Sequence, residues 1–424
     1  MDLEEEYERY LERLLKACED QHIRTAMKRA IGYFRKNVSE AFRAFPQTLN
    51  KRRLAKKIKE YSIKHLLELV KLTKDSVEEM KGNCYVANDK YDALRIIGEI
   101  VGNGKLVVKS KSITSEEIGL NEHLESLGNK VVETDLGEFI LQRSRGKPMH
   151  ILSPAIHIPK EKVAELFSKL VGRKLRSEIQ DLVEVARGYL RDAFFKADVG
   201  ISGANVIAAE TGTIFLIENE GNIRFSTNAP RIHVVISGFE KIVPTLFDAL
   251  TVSEVTWRYA SYKVPSYISL ISGPSKTGDI EKAITYGAHG PKELHVILLD
   301  NGRTKMAKDP VYREALYCVK CGSCLYECPI YSVVAGAFGD KYFGGIGAIW
   351  TALIAGGFRK AMPLAYSCTL CDRCRSHCPM EINVTKMIMR LRRDLAEKGI
   401  IVPQLPELCK NVHEFGNPFG LKEA

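Results

Sequence analysis

The sequence predicts an α/β domain with a largely parallel central sheet, a helical segment before it and a helix-leaning, cysteine-rich domain after it. Three observations predict this. From about residue 84, short β-rich runs alternate with helical stretches over roughly 215 residues. Before about residue 80, apolar side chains recur three or four apart. Beyond about residue 305 the strands stop, and two runs of four cysteines follow one another.

Residues 1–80 form the N-terminal helical segment. ERYLERLLKACEDQ and SIKHLLELVKLTKD carry helical periodicity, and Pro46 offers a break between segments. Residues 21–60 hold twelve Lys/Arg against two Glu, including KRRLAKKIK at 51–59. A solvated helix face is the plain reading of such a run, with an acidic partner or an anionic membrane surface as the functional alternatives. Nucleic acid is disfavoured, because neither aromatic interleaving nor a helix-turn-helix pattern accompanies the charge.

Residues 81–303 form the α/β domain. GKLVVKS, KVVETD, TIFLIENE, IHVVIS and ELHVILLD read as strands, and SEEIGLNEHLESLG and KEKVAELFSKLVGRK as helices. ETGT at 210–213 reads as a tight turn between strands, with Glu210 the one charge in VIAAETGTIFLI. A solvated or capping role is the plain reading of Glu210, and a catalytic base or nucleophile the functional one. GPSKTGDIE and GAHGPKELHVILLDNGR place Gly, Ser, Thr, Lys and His on loops beside strands, a composition suited to an anionic ligand. Glu210, Thr211, Lys276 and His289 are therefore expected to face one ligand pocket. Neither loop matches a P-loop or a dinucleotide fingerprint.

Residues 304–400 hold CVKCGSCLYECP at 318–329 and CTLCDRCRSHCP at 368–379, related by one constant offset, each closed by a proline (Pro329, Pro379). C-x2-C-x2-C puts three thiolates on one tight loop, where they can hold three corners of a cubane. In bacterial two-cluster ferredoxins the fourth cysteine of each run serves the other cluster. The expected cofactors are thus two [4Fe–4S] clusters. One is held by Cys318, Cys321, Cys324 and Cys378, the other by Cys368, Cys371, Cys374 and Cys328. Zinc is the competing reading, but structural zinc sites generally use two C-x2-C pairs and have no use for a third cysteine. Residues 305–400 carry fourteen Lys/Arg against eight Asp/Glu, a surplus that would offset cluster charge. His377, beside Cys378, is expected to support rather than ligate. Cys18, Cys84 and Cys409 are expected to be buried small hydrophobes. IGAIWTALIAGG at 346–357 reads as a buried helix, LRRDLAEKG as the last helix, and residues 401–424 as an irregular tail.

The 424 residues suffice for two or three domains, and 45% hydrophobic with 27% charged residues is ordinary globular composition. The opening MDLEEEYERY lacks a signal-peptide pattern, and no stretch approaches a membrane span. The net charge is +10. With eight of eleven cysteines in two metal-type runs, the chain reads as cytoplasmic rather than disulfide-bonded.

VKSKSITSEEIGLNEHLESLGNKVVETDLGEFI (108–140), ILSPAIHIP (151–159), GANVIAAETGTIFLIENEGN, GPSKTGDIE and HGPKELHVILLDNGR together resemble the LUD (lactate-utilisation) domain. The cysteine runs follow in the order of the LutB/LldF family of lactate-utilisation iron–sulfur proteins, and the resemblance spans roughly residues 20 to 400. It implies a NagB/RpiA/CoA-transferase-like α/β domain joined to an α-helical ferredoxin domain. It also implies an oxidoreductase subunit that, with partner redox subunits, oxidises L-lactate to pyruvate. The tail ends soon after the second run, so a longer C-terminal docking extension would be missing here. Two other readings stand beside this one. The chain could be an iron–sulfur subunit of a heterodisulfide-reductase or glycerol-3-phosphate-dehydrogenase type of complex. It could also be a LUD-domain enzyme acting on a CoA-like or sugar-phosphate ligand.

Overall fold

The computed structural model describes residues 2–421, so residue 1 of the N-terminal segment and residues 422–424 of the tail lie outside it. Four helices open the chain: α1 (Leu3–Glu19), α2 (Gln21–Ala44), α3 (Thr48–Lys64) and α4 (Leu66–Glu79). Asp20 separates the first two by accepting the N–H groups of His22 and Ile23 at 2.9 and 3.0 Å, an N-cap at the start of α2. Pro46 falls between α2 and α3 as expected. The buried stripe of α2, Ile23, Met27, Ile31 and Phe34, keeps the spacing of one helical face.

The strands follow in chain order: β1 (Asn83–Ala87), β2 (Leu106–Lys109), β3 (Lys130–Glu133), β4 (Val199–Ser202), β5 (Val206–Ala208), β6 (Thr213–Glu218), β7 (Ile232–Gly238), β8 (Ile242–Val243), β9 (Tyr267–Ile271), β10 (Lys276–Thr277), β11 (Thr285–Tyr286) and β12 (Glu293–Leu299). The central sheet has the order β1-β12-β7-β4-β2-β3, with every neighbouring pair parallel. Covered on both faces, β7 and β12 are buried almost throughout, which is why IHVVIS and ELHVILLD are mainly apolar without alternation, with His233, Ser237 and His295 buried among the apolar residues. A second, mixed sheet has the order β8-β5-β6-β9, and ETGT is its β5–β6 turn, with Gly212 at φ +62°. TIFLIENE belongs to this second sheet rather than to the central one.

The predicted helix SEEIGLNEHLESLG is two helices, Ile113–Ile118 and Leu120–Ser126, broken where Gly119 adopts φ +71°. IGAIWTALIAGG is a buried helix from Gly344 that widens into a π turn at Thr351–Ala355. The tail is not irregular: Leu405–Phe415 is helical. Proline in the first turn forfeits no intrahelical bond, and Gly416 closes the helix in the left-handed conformation, so the residues that suggested a loop are its boundaries. No helix among the described residues is long and apolar enough to cross a membrane.

One apolar core runs from Met27 and Ile58 through Phe215 of the second sheet to Trp350 and Met387 of the cysteine-rich domain. The N-terminal helices, the second sheet and the cysteine runs are therefore packed as one body. Separate cores line the central sheet around Ile97 and Ile297 and around Phe139 and Phe167.

Candidate metal centre

The offset repeat in sequence is also a repeat in backbone. Lys320 and Leu370 take positive φ (59° and 56°), as do Gly322 and Asp372 (77° and 59°). A short helix follows each pair, Ser323–Tyr326 and Arg373–Ser376. Two left-handed residues per loop curl the chain so that successive thiols turn to a common side. That conformation costs little at Gly322 and more at the other three, which is a strain tolerated at functional sites.

The thiols fall into two sets. Burial pushes Cys321 up, and the charges of Cys378 and Cys318 push it further. Cys324 is raised by burial and then by Cys318, Cys321 and Cys378, and Cys378 by burial, to about 11, with Cys318 adding to it. In the other set, burial raises Cys374 to about 12, with Cys368, Cys328 and Cys371 adding to it, and Cys328 is raised by burial and then by Cys368 and Cys371. Cys378 thus lies near Cys318 and Cys321, and Cys328 near Cys368 and Cys371, while Cys324 also feels Cys374 of the other run. Cys328, Cys368, Cys371 and Cys374, with Cys324, ring a cavity of about 30 Å³. No three His, Cys, Asp or Glu side chains among the described residues converge closely enough to hold a single ion. Eight thiols on two cysteine loops of this spacing fit two [4Fe–4S] clusters.

The two sets differ in surroundings. Cys321 is 8% exposed, whereas Cys371 is exposed, with exposed Arg373, Arg375 and His377 nearby in the chain. His377 hydrogen-bonds locally, to Ser376 Oγ at 3.1 Å and the Arg373 carbonyl at 3.2 Å. Arg392 holds the second loop from behind by donating to the carbonyls of Ala365 at 2.9 Å and Cys368 at 2.6 Å.

Around the first set the structure buries a charged network that sequence reasoning missed. Arg303 donates to Glu117 through Nη1 at 3.0 Å and Nη2 at 2.8 Å, and through Nε to Glu240. Tyr342 Oη donates to Glu117 at 2.7 Å, and Lys59 Nζ to the Glu240 carbonyl. Lys320, between two cysteines, rests its ammonium 3.1 Å above the Trp350 ring. Burial would raise the Glu240 carboxyl, but the charges of Arg303, Lys241 and Lys320 overcome it and hold it at about 2. Burial lowers Lys59 to about 7 and Lys320 to about 8, each opposed by the charges of Glu240 and Cys318. The one signal in the sequence was a lone arginine just past the apolar end of a buried strand, in LLDNGR.

The basic run of α3 is largely used within the chain. Lys51 pairs with Glu254, and Arg52 and Lys56 hold Glu381 at 2.7 and 2.9 Å. Arg35 pairs with Glu327 at 2.8 Å, so basic N-terminal residues grip an acid beside the last cysteine of each run. Of the isolated cysteines, Cys84 is buried as expected, Cys18 only partly so, and Cys409 is exposed. The helix carrying Cys409 buries none of its residues, so it offers that thiol no core to enter.

Glu210 is exposed and accepts the Leu246 N–H at 2.6 Å, satisfying a free donor at the start of the helix Leu246–Tyr259. Thr211 hydrogen-bonds Thr213 at 2.7 Å, and Thr213 in turn Ser272 at 2.6 Å. Lys276, on β10, and His289, in the loop before β12, are both exposed, and neither shares a hydrogen bond or ion pair with Glu210 or Thr211.

The LUD domain family model matches residues 70–299, and the 4Fe-4S dicluster domain residues 314–382. Lactate utilization protein B of Shouchella clausii is 35% identical over 394 residues, covering 92% of this chain and 81% of that protein. The Uncharacterized electron transport protein YkgF of Escherichia coli is 35% identical over 350 residues, 82% of this chain and 72% of that protein. Lactate utilization protein B of Bacillus subtilis is 33% identical over 413 residues, 96% and 84% of the two chains. Among solved structures, a duf162 family protein from Deinococcus radiodurans aligns with TM-score 0.32 and 15% identity, over 55% of this chain and 98% of that one.

Arg303→Met leaves Glu117 and Glu240 buried without their cation, and is expected to cost about 3–5 kcal/mol. Urea denaturation followed by tryptophan fluorescence measures it. Because the Glu240 carboxyl is held down, its stabilisation is complete above the unfolded value near 4.5 and is lost as pH falls from there towards 2. The wild type should therefore weaken over that window more than the variant does.

Proposed function

This chain belongs to the family of LUD-domain iron–sulfur proteins that includes lactate utilization protein B, and from that premise we propose that it is the electron-transfer subunit of an L-lactate-oxidising complex. The first cluster takes Cys318, Cys321, Cys324 and Cys378, and the second Cys368, Cys371, Cys374 and Cys328. The observation that supports this reading is that Cys378 lies near Cys318 and Cys321, towards the seam with the α/β domain, and Cys328 near Cys368, Cys371 and Cys374, towards the surface. Each cluster, when bound, takes up and returns one electron at a time.

The chain's own residues suit a relay with a protected and an open end. Lys59, Lys241 and Lys320 place buried positive charge near the thiolates of the first set, and Trp350 and Tyr342 lie beside Lys320. Arg392 fixes the backbone of the second loop, which meets solvent at Cys371. Arg373 and Arg375 there suit a partner with an acidic face, whose approach charge would steer. Oxidising a 2-hydroxy acid removes a hydride equivalent and a proton, which a one-electron centre does not accept in a single step. The two-electron acceptor therefore belongs to a partner subunit.

Two tests follow. Clean, anaerobic, cluster-loaded protein should not bleach with excess L-lactate, should bleach with dithionite, and should bleach with lactate once its partner subunits are added. Stoichiometric pyruvate from the isolated chain would move the oxidation into the LUD domain. In the second test, Cys378→Ser should perturb the electron paramagnetic resonance signal that Cys321→Ser also perturbs. If it instead perturbs the signal that Cys371→Ser affects, each run closes its own cage.

A further inference from the structure

A cavity of about 230 Å³ opens where three segments of the α/β domain meet, away from both cysteine loops. The helix Ile179–Lys196 lines it with Ala186, Leu190 and Phe194, at the three- and four-residue spacing of a single face. Glu220, Asn222 and Phe225 line it from the start of the helix Asn222–Asn228, and Thr134 from the residue after β3. Thr134 ties the cavity to the central sheet. Its hydroxyl donates to the Lys109 carbonyl, at the end of β2, at 3.1 Å and lies 3.1 Å from Ser226 Oγ. From β2 the chain runs outward to β3 and then back to β4 on the other side of β2, so strand order reverses there. In open parallel sheets, ligands bind outside the carboxyl ends of the strands at such a reversal.

The lining joins aromatic rings to unpaired cations. Buried Phe194 stacks on Phe225 with centroids 5.3 Å apart and 27° between planes, and Phe195 meets Phe225 edge-on at 6.0 Å. Phe225 is nevertheless 42% exposed, so packing within the chain leaves much of this ring uncovered. Arg187 and Arg191, one helical turn apart, also line the cavity. Neither forms an ion pair among the described residues, and Arg191 lies over the Phe195 ring, 5.5 Å from its centroid. Two acids of the same helix are taken elsewhere: Asp181 by Arg176 at 3.1 Å, and Asp192 by Lys196 at 3.0 Å. Like charges four residues apart on a helix repel, and an anion held between them removes that cost.

We infer that this cavity binds the nucleoside phosphate unit of a nucleotide. The paired guanidiniums suit a phosphate, whose oxygens accept several donors at once. The uncovered Phe225 ring suits the base, because every base has a face that stacks on an aromatic side chain. Glu220 and Asn222 supply acceptors, and the amide also donors, for sugar hydroxyls and ring nitrogens. A simple fatty acid matches the apolar wall and the arginines but leaves those two polar side chains without a use. The space is smaller than the roughly 300–1,000 Å³ that takes a whole drug-sized ligand, so it holds one ring-and-phosphate unit. Any further part of the molecule would extend past Phe195, which is 62% exposed. The site stands apart from the electron-transfer reading, and the inference concerns binding alone.

The test uses full-length, anaerobic, cluster-loaded protein, titrated calorimetrically with adenosine 5′-monophosphate, flavin mononucleotide, adenosine and inorganic phosphate. At least one of the two nucleotides should bind saturably, about tenfold or more tightly than adenosine or phosphate alone. Whichever binds tighter identifies the ring, purine or isoalloxazine, that the cavity takes. Arg187→Gln and Arg191→Gln should each weaken nucleotide binding about tenfold, bringing it towards that of adenosine, at unchanged iron and sulfide content. Phe225→Leu should weaken it as well, whereas Arg29→Gln, at an exposed position of α2, should leave it unchanged. Absence of saturable binding by either nucleotide, phosphate or adenosine binding as tightly as the nucleotides, or nucleotide binding equal in the wild type and both arginine variants would each overturn the site. Loss of binding in the Arg29 variant to the same extent would also overturn it, by reducing the effect to net charge.

Discussion

Arg303 sits between Glu117 and Glu240 with no exposure to solvent, and the surrounding structure follows from the need to keep it paired. A buried guanidinium is tolerable only when its donors meet carboxylates held in place by other elements. Glu117 comes from the helix after β2, Glu240 from the turn after β7, and Arg303 from the turn after β12, so three strand ends of one sheet must align. Tyr342 then binds Glu117 from the cysteine-rich domain, while Trp350 lies 5.5 Å beneath the guanidinium. Gly238 has no side chain because a Cβ there would come 2.1 Å from Glu240 Oε2. The same network that closes the central sheet thereby fastens the cluster domain to it.

Much of this was legible in the sequence, and for physical reasons. The cysteine loops declare themselves because a cluster needs thiols at fixed spacing, and β7 and β12 because strands covered on both faces are mainly apolar without alternation. The shorter strands β4 and β8 were not legible, and β5 only through the turn that follows it. Their few residues are as apolar as the strands they pair with and carry no period of their own. The helix Leu405–Phe415 was hidden because proline and glycine punctuate loops and helix ends alike. Burial partners are the least readable feature: in KRRLAKKIK no local pattern tells that Lys59 reaches the Glu240 carbonyl while Arg52 grips Glu381. Glu210 shows another limit, since a lone charge in an apolar run suits a cap or a catalyst alike, and the sequence does not show that it accepts the Leu246 N–H at a helix start.

The network also gives the two cysteine sets unlike electrostatic settings. The first shares a low-dielectric seam with Lys59, Lys320 and the Arg303 group, where each charge acts with little screening. The second has exposed arginines, whose effect water and salt reduce, and a carbonyl clamp from Arg392 that steadies its loop. An electron reaching the buried end would meet fixed positive charge, and one leaving the open end would do so where a partner can approach.

A redox titration followed by paramagnetic resonance, comparing wild type with Lys320→Met, tests most directly whether the α/β seam tunes one cluster separately from the other. Removing that buried cation should lower the reduction potential of one cluster and leave the other where it was. If neither potential moves, or both fall together, the seam does not act on the first cluster in the way described.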